Sequence, residues 1–172
     1  MPKASDLASN EFNPYFSSYI TSLGDTELIL GLKDNLESSL AFFENIDADK
    51  FSYAYEEGKW TIKDVIQHII DSERIFGYRA LCFARGESQN LPGFEQDDYN
   101  IAANTSAKSK DVLIAEYKSA RKATIDLFSG LPDDTLKRVG KASGNEMSAR
   151  AAGFLIIGHE NHHLNVIKEK YI

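Results

Sequence analysis

Apolar residues recur at helical spacing in four long segments of this chain, and no run alternates long enough to signal a sheet. In the first segment Leu28, Leu32, Leu36, Leu40 and Phe43 follow one another at intervals of three or four, with Ile29 beside them. Asp25 stands where it can N-cap them, so the pattern predicts an amphipathic helix of about five turns. In the second, Ile62, Val65, Ile66, Ile69, Ile70, Phe76 and Ala80 form one face that reaches about Arg85. Thr61 is its cap and Asp64 the capping-box partner, which also complements the helix dipole. A third helix is predicted over about Ser109 to Ser129, with Leu113, Tyr117, Ala120, Thr124, Leu127 and Phe128 on one side. Gly130 fits its C′ position, and Leu131-Pro132 blocks continuation. A fourth runs from near Ser148 to about Lys170. These features predict an all-α, four-helix bundle with long connections. The connections Asp47–Lys59, Gly86–Ser106 and Asp133–Glu146, the last with one helical turn at its start, argue against simple hairpins throughout.

Composition sets the outer bounds. A chain of 172 residues and 19.2 kDa folds to an accessible area of roughly 8,400 Å², against roughly 28,000 Å² extended, enough for one substantial core. We expect one domain over residues 25–172, with residues 1–24 as a lead-in packed upon it. The net charge of −7 repels phosphate backbones and argues against direct nucleic-acid binding. The single cysteine, Cys82, excludes an internal disulfide framework and fits a reducing, cytoplasmic setting. Met1–Asn10 has no apolar core of a secretory signal. The apolar stretch Phe154–Ile157 falls far short of the ~20 residues of a membrane span.

The chemistry-bearing feature is the distribution of four histidines: His68, His159, His162 and His163. On a helix His159 and His163, at i and i+4, lie within about 40° of each other, a spacing that suits two ligands of one metal. With Ala152 as origin, both fall within about 20° of the centre of their helix's apolar stripe, and His162 falls about 80° off. Two inward imidazoles require hydrogen-bond partners or a metal. His68 sits about 100° from the centre of its own helix's apolar stripe, beside Ser72 and Arg79, and reads equally as a flank residue or a ligand. Glu73 lies near the middle of that stripe. It either pairs with an arginine or accepts from a ligating histidine. The run His159-Glu160-Asn161-His162-His163 also matches the H-E-x-x-H pattern of zinc proteases. Only nine residues follow His163, none of them His or Asp, so a third ligand must lie upstream and the protease reading is set aside.

Three segments, Lys59-Trp60-Thr61-Ile62-Lys63-Asp64-Val65, His68-Ile69-Ile70-Asp71-Ser72-Glu73-Arg74 and Gly158-His159-Glu160-Asn161-His162-His163, together resemble the DinB superfamily. The resemblance is closest to its YfiT-like branch of metal-dependent hydrolases. Arg85-Gly86-Glu87, Gly93-Phe94 and Asp98-Tyr99 are also similar, so that it covers about Leu28 to Ile172. It implies a four-helix bundle and a divalent metal held by His68, His159 and His163, with His162 flanking. Imidazole ligands suit zinc and nickel first, with iron and copper also within range. Some superfamily members use a low-molecular-weight thiol such as bacillithiol or mycothiol. A homodimer is implied by the same resemblance.

The functional expectation is a metal-dependent enzyme that activates water or a low-molecular-weight thiol, as a hydrolase or thiol S-transferase acting on a small molecule. Asp98, Tyr99 and Arg150 are the polar candidates around the site. Tyr99 can donate a proton or hydrogen bond, and Arg150 can hold an anion or simply pair with an acid. The alternative is a non-catalytic stress-response or protein-interaction module, stabilised by a metal or lacking one.

Overall fold

The computed structural model describes residues 1–172. Four long helices build it: α2 (Leu28–Asn45), α3 (Ile62–Ala84), α5 (Lys110–Ser129) and α7 (Ala149–Lys170). Shorter helices are α1 (Ser17–Thr21), α4 (Gln96–Ala103) and α6 (Asp133–Leu136). The accessible area, 8724 Å², is close to what the chain length dictates.

Capping follows local chemistry. Thr61 Oγ1 accepts from the Asp64 N–H at 3.2 Å, while Asp64 Oδ2 accepts from the Thr61 N–H at 2.8 Å, and the reciprocal box starts α3. Ser109 and Ser148 cap α5 and α7 through their hydroxyl oxygens. Asp25 is not the cap of α2. The helix begins one turn beyond it, after Glu27, and Asp25 accepts from the Ser5 hydroxyl at 2.7 Å instead. Gly130 closes α5 with φ −90°, so no left-handed residue is needed there.

Around the bundle the order is α2, α5, α3, α7, so that α2 and α3, and likewise α5 and α7, face each other across the diagonals. Two apolar clusters fill the ends. One takes in Leu28 and Leu32, Phe76 and Phe83, Phe128, and Phe154 and Ile157; the other takes in Phe43, Ile66 and Ile69, Leu113 and Tyr117, and Leu164 and Ile167. Their order along each helix shows that α2 and α7 run one way and α3 and α5 the other. Neighbours α3 and α5 are therefore parallel, and the chain between them must travel back along the bundle. A 20-residue helix is about 30 Å long, which accounts for the length of that connection.

The connections hold more regular structure than the sequence pattern indicates. Residues 86–106 are not simply a loop. They contain strand β1 (Asn90–Leu91) and α4. After α6, β2 (Val139–Ala142) and β3 (Asn145–Ser148) form an antiparallel hairpin, and β1 pairs with β2 in parallel. The expected all-α bundle thus carries a small three-stranded sheet. The hairpin turn is Ser143-Gly144, with φ +52° and +77°, the left-handed pair that a two-residue turn between twisted strands requires. Gly140 lies so close to Phe83 of α3 that a Cβ would come within 2.0 Å of the ring, which seats the hairpin on the end of α3. The lead-in buries Ile20 and Leu23 against the bundle. No helix is long and apolar enough to cross a membrane.

Candidate metal centre

Between the two apolar clusters lies a polar layer, supplied by the middles of the same four helices. Two groups occupy it. The first is His68 of α3 with His159 and His163 of α7. Because α7 presents His159 and His163 one turn apart, both reach the same point from one side, and His68 meets them from the other. His159 Nε2 lies 3.0 Å from His68 Nε2 and 3.1 Å from His163 Nε2. Three candidate ligand atoms, one per ring, fall within 4.8 Å of one another, and the trio could hold a metal ion.

Hydrogen bonding alone does not satisfy this group. A neutral ring nitrogen offers either one N–H or one lone pair in the ring plane. His159 Nε2 therefore serves one of its two neighbours and leaves the other unmet. All three rings are held neutral. Burial pushes His68 down to about 4, against the pull of Asp97. Burial and the adjacent imidazoles push His163 down to about 3, and His159 well below the ordinary range. Three neutral, desolvated nitrogen donors facing one point match the donor set of zinc and related divalent metals.

The group opens into a cleft of about 500 Å³. Its walls come from α1, α3, α4 and the hairpin, including Tyr19, Phe76, Asp97 and Ser143. Tyr19 reaches His159 and His162, with ring centroids 6.0 and 5.2 Å away. Gly158 permits this approach, since a Cβ there would meet the Tyr19 carbonyl oxygen at 2.3 Å.

The second group is ionic. The Arg121 guanidinium, fully buried, donates to Glu73 Oε1 at 2.8 Å and Oε2 at 3.1 Å, and to Glu160 Oε2 at 2.5 Å. Tyr117 Oη donates to Glu160 Oε1 at 2.6 Å, and Asn35 Nδ2 donates to Oε2 at 3.1 Å. Burial works against the Arg121 cation, but Glu160 and Glu73 outweigh it and hold its pKa above the ordinary value.

Several sequence candidates lie elsewhere. Glu73 does not support a histidine. It is five residues beyond His68, about 140° around α3, and is taken up by Arg121. Arg150 is paired with Glu11 of the lead-in at 2.5 Å, at the far end of α7. Tyr99 and Asp98 are exposed on α4, and the Tyr99 ring packs beside Phe94 at 5.2 Å. Neither lines the cleft; their neighbours Glu95, Gln96 and Asp97 do. His162 stands at the cleft's rim against Tyr19, as its position on the helix indicates. Among residues that the helical period alone does not single out, Arg121 carries a usable signal. It falls in register with Leu113, Tyr117 and Phe128, on the buried side of α5. Tyr19 and Asp97 sit on short elements with no such periodicity.

Comparison with known proteins agrees with this geometry. A "putative metal-dependent hydrolase" of Oceanobacillus iheyensis is 26% identical over 126 residues, 72% of each chain. YfiT of Bacillus subtilis, described as a probable metal-dependent hydrolase with an unusual four-helix bundle topology, superposes with a TM-score of 0.69 at 18% identity, over 83% of this chain and 82% of that one. The mycothiol-dependent maleylpyruvate isomerase superposes with a TM-score of 0.66 at 15% identity, over 95% of this chain and 62% of the other. The family model of the DinB superfamily matches residues 32–167, which take in α3 and α5, most of α2 and α7, and the three converging histidines. The chain belongs to the DinB superfamily.

Proposed function

We propose that the protein is a metal-dependent enzyme that activates water or a low-molecular-weight thiol at His68, His159 and His163, acting as a hydrolase or a thiol S-transferase on a small molecule. The observation that carries this reading is the convergence of three neutral imidazoles, His68 buried and His159 and His163 half-buried, whose nitrogens cannot all satisfy one another. A divalent ion bound there would lower the pKa of a water or thiol and polarise an electrophile.

The chain's own residues supply the rest. The three histidines give neutral ligands and leave the remaining coordination positions to solvent or substrate. Glu160, one residue from His159, is locked by Arg121 and Tyr117, which fixes the rotation of α7 and so the aim of its two histidines. Phe76 and Tyr19 line the cleft beside the histidines and give that wall an aromatic surface. Hydrolase names among similar proteins and a mycothiol-dependent structural neighbour support water and thiol as the two nucleophile classes.

The test is incubation of the zinc- or nickel-loaded protein with an electrophile, with and without bacillithiol or cysteine. Thiol-dependent conjugate formation identifies a transferase, and thiol-independent cleavage identifies a hydrolase. Turnover is expected to vanish in His159→Ala. No turnover over a broad panel would overturn the enzyme reading in favour of a non-catalytic module.

A further inference from the structure

His68, Ser72 and Arg79 lie on one strip of α3, within about 40° of one another around the helix axis. All three are buried and all three line the cleft. Arg79 is unlike the protein's other buried arginines. Arg121 has Glu73 and Glu160, and Arg150 has Glu11. Arg79 has no carboxylate within ion-pair distance. Its Nη2 donates to the Pro92 carbonyl at 3.1 Å and to Ser143 Oγ at 3.3 Å, and its Nε and Nη1 donate to no protein atom. The guanidinium lies over the Phe76 ring at 5.6 Å. A cation taken out of water without a counter-charge is costly, and burial does work against this one. Between Arg79 and the histidines, Ser72 Oγ is buried with no hydrogen-bond partner.

We infer that Arg79 is the anion-binding end of the cleft, and that the substrate is an elongated molecule with its reacting atom at the histidines and a carboxylate or phosphate-like group at its remote end. The Cα atoms of His68 and Arg79 are about 16 Å apart along α3. The arginine side chain leans back toward the helix N-terminus, which shortens the span to be bridged. Ser72 is placed to meet a polar group partway, and Phe16 and Phe76 offer apolar contact between. Asp97, exposed on the cleft wall, stands beside His162 and His163; its charge disfavours an anion at the histidine end and leaves Arg79 as the anion's place. The position of the reacting atom rests on the metal reading above. The role of Arg79 does not.

The experiment is calorimetric titration of the zinc-loaded protein with ω-mercapto carboxylates, from mercaptopropionate to mercaptoundecanoate, alongside the matching mercapto alcohols. At the best chain length the carboxylate is expected to bind about tenfold or more tightly than the alcohol, as a charge-assisted pair should. Arg79→Gln should abolish that preference with zinc content unchanged, and Arg79→Lys should retain part of it. Equal binding of carboxylate and alcohol by the wild type overturns the inference, whether or not the variants fold. So does a preference that survives in Arg79→Gln, which would leave Arg79 as a pin for the hairpin. If zinc does not bind, the metal reading fails separately. The anion site is then read in the metal-free protein, where hexanoate but not hexanol should raise the thermal midpoint of the wild type and neither should raise that of Arg79→Gln.

Discussion

The two polar groups at the middle of the bundle sit on the same helices and differ in how their needs are met. His68 and Glu73 share α3, and His159 and Glu160 are neighbours on α7. On one side, Arg121 is clasped by two carboxylates, and one of them, Glu160, also accepts from Tyr117 and Asn35. Donors and acceptors there close upon one another. On the other side, three imidazoles point at one another with fewer protons and lone pairs than their contacts require. A buried group that is complete by itself holds a fold together, and one completed only by a further atom is built to bind it. Adjacent residues on one helix can therefore serve opposite ends.

This contrast breaks most visibly at Arg121. Arg121→Leu leaves Glu73 and Glu160 buried without their cation, and a stability loss of about 3–5 kcal/mol is expected in urea denaturation. Next in size is Gly158→Ala, whose Cβ would collide with the Tyr19 carbonyl. It should cost about 1–3 kcal/mol and expose the cleft, read as faster hydrogen exchange over α1. The histidine group should behave in the opposite way. His163→Ala in the metal-free protein should shift stability by no more than about 1 kcal/mol, while removing metal binding. A loss as large as that of Arg121→Leu would mean that the histidines are structural.

Glu11 and Arg150 form a smaller version of the ionic group, buried beneath the lead-in. Burial works against the Glu11 carboxylate, but the Arg150 guanidinium and the Ala8 N–H outweigh it and hold its pKa below the ordinary value. Its contribution to stability is complete above the unfolded value of about 4.3 and is lost as the pH falls through the lower, folded one. Glu11→Gln should therefore flatten the loss of stability on acidification below about pH 4, the smallest of these effects. An unchanged acid profile would show that the pair adds nothing measurable.

Which parts were legible in the sequence follows from the range of the forces involved. The four long helices and the shared face of His159 and His163 are read from spacing within one helix. The ambiguity of His68 is physical. A helical wheel shows the apolar stripe of α3 but not that α7 and α4 cover its flank. Arg150 and Tyr99 mislead for a related reason. The partner of Arg150 is Glu11, 139 positions away, and Tyr99 belongs to a short helix that turns Asp97, not Tyr99, toward the cleft. The hairpin escapes notice because its strands are four residues each, too short for alternation to stand out. Its Ser143-Gly144 turn is the only local sign.

A metal bound by His68, His159 and His163 would complete the group that they leave unsatisfied. The direct measurement is elemental analysis of the protein purified without an affinity metal, alongside His163→Ala and Arg121→Lys prepared in the same way. Close to one equivalent of a divalent transition metal is expected in the wild type, little or none in His163→Ala, and retention in Arg121→Lys wherever that variant folds. Wild-type protein well below stoichiometry, or metal undiminished in His163→Ala, would contradict it.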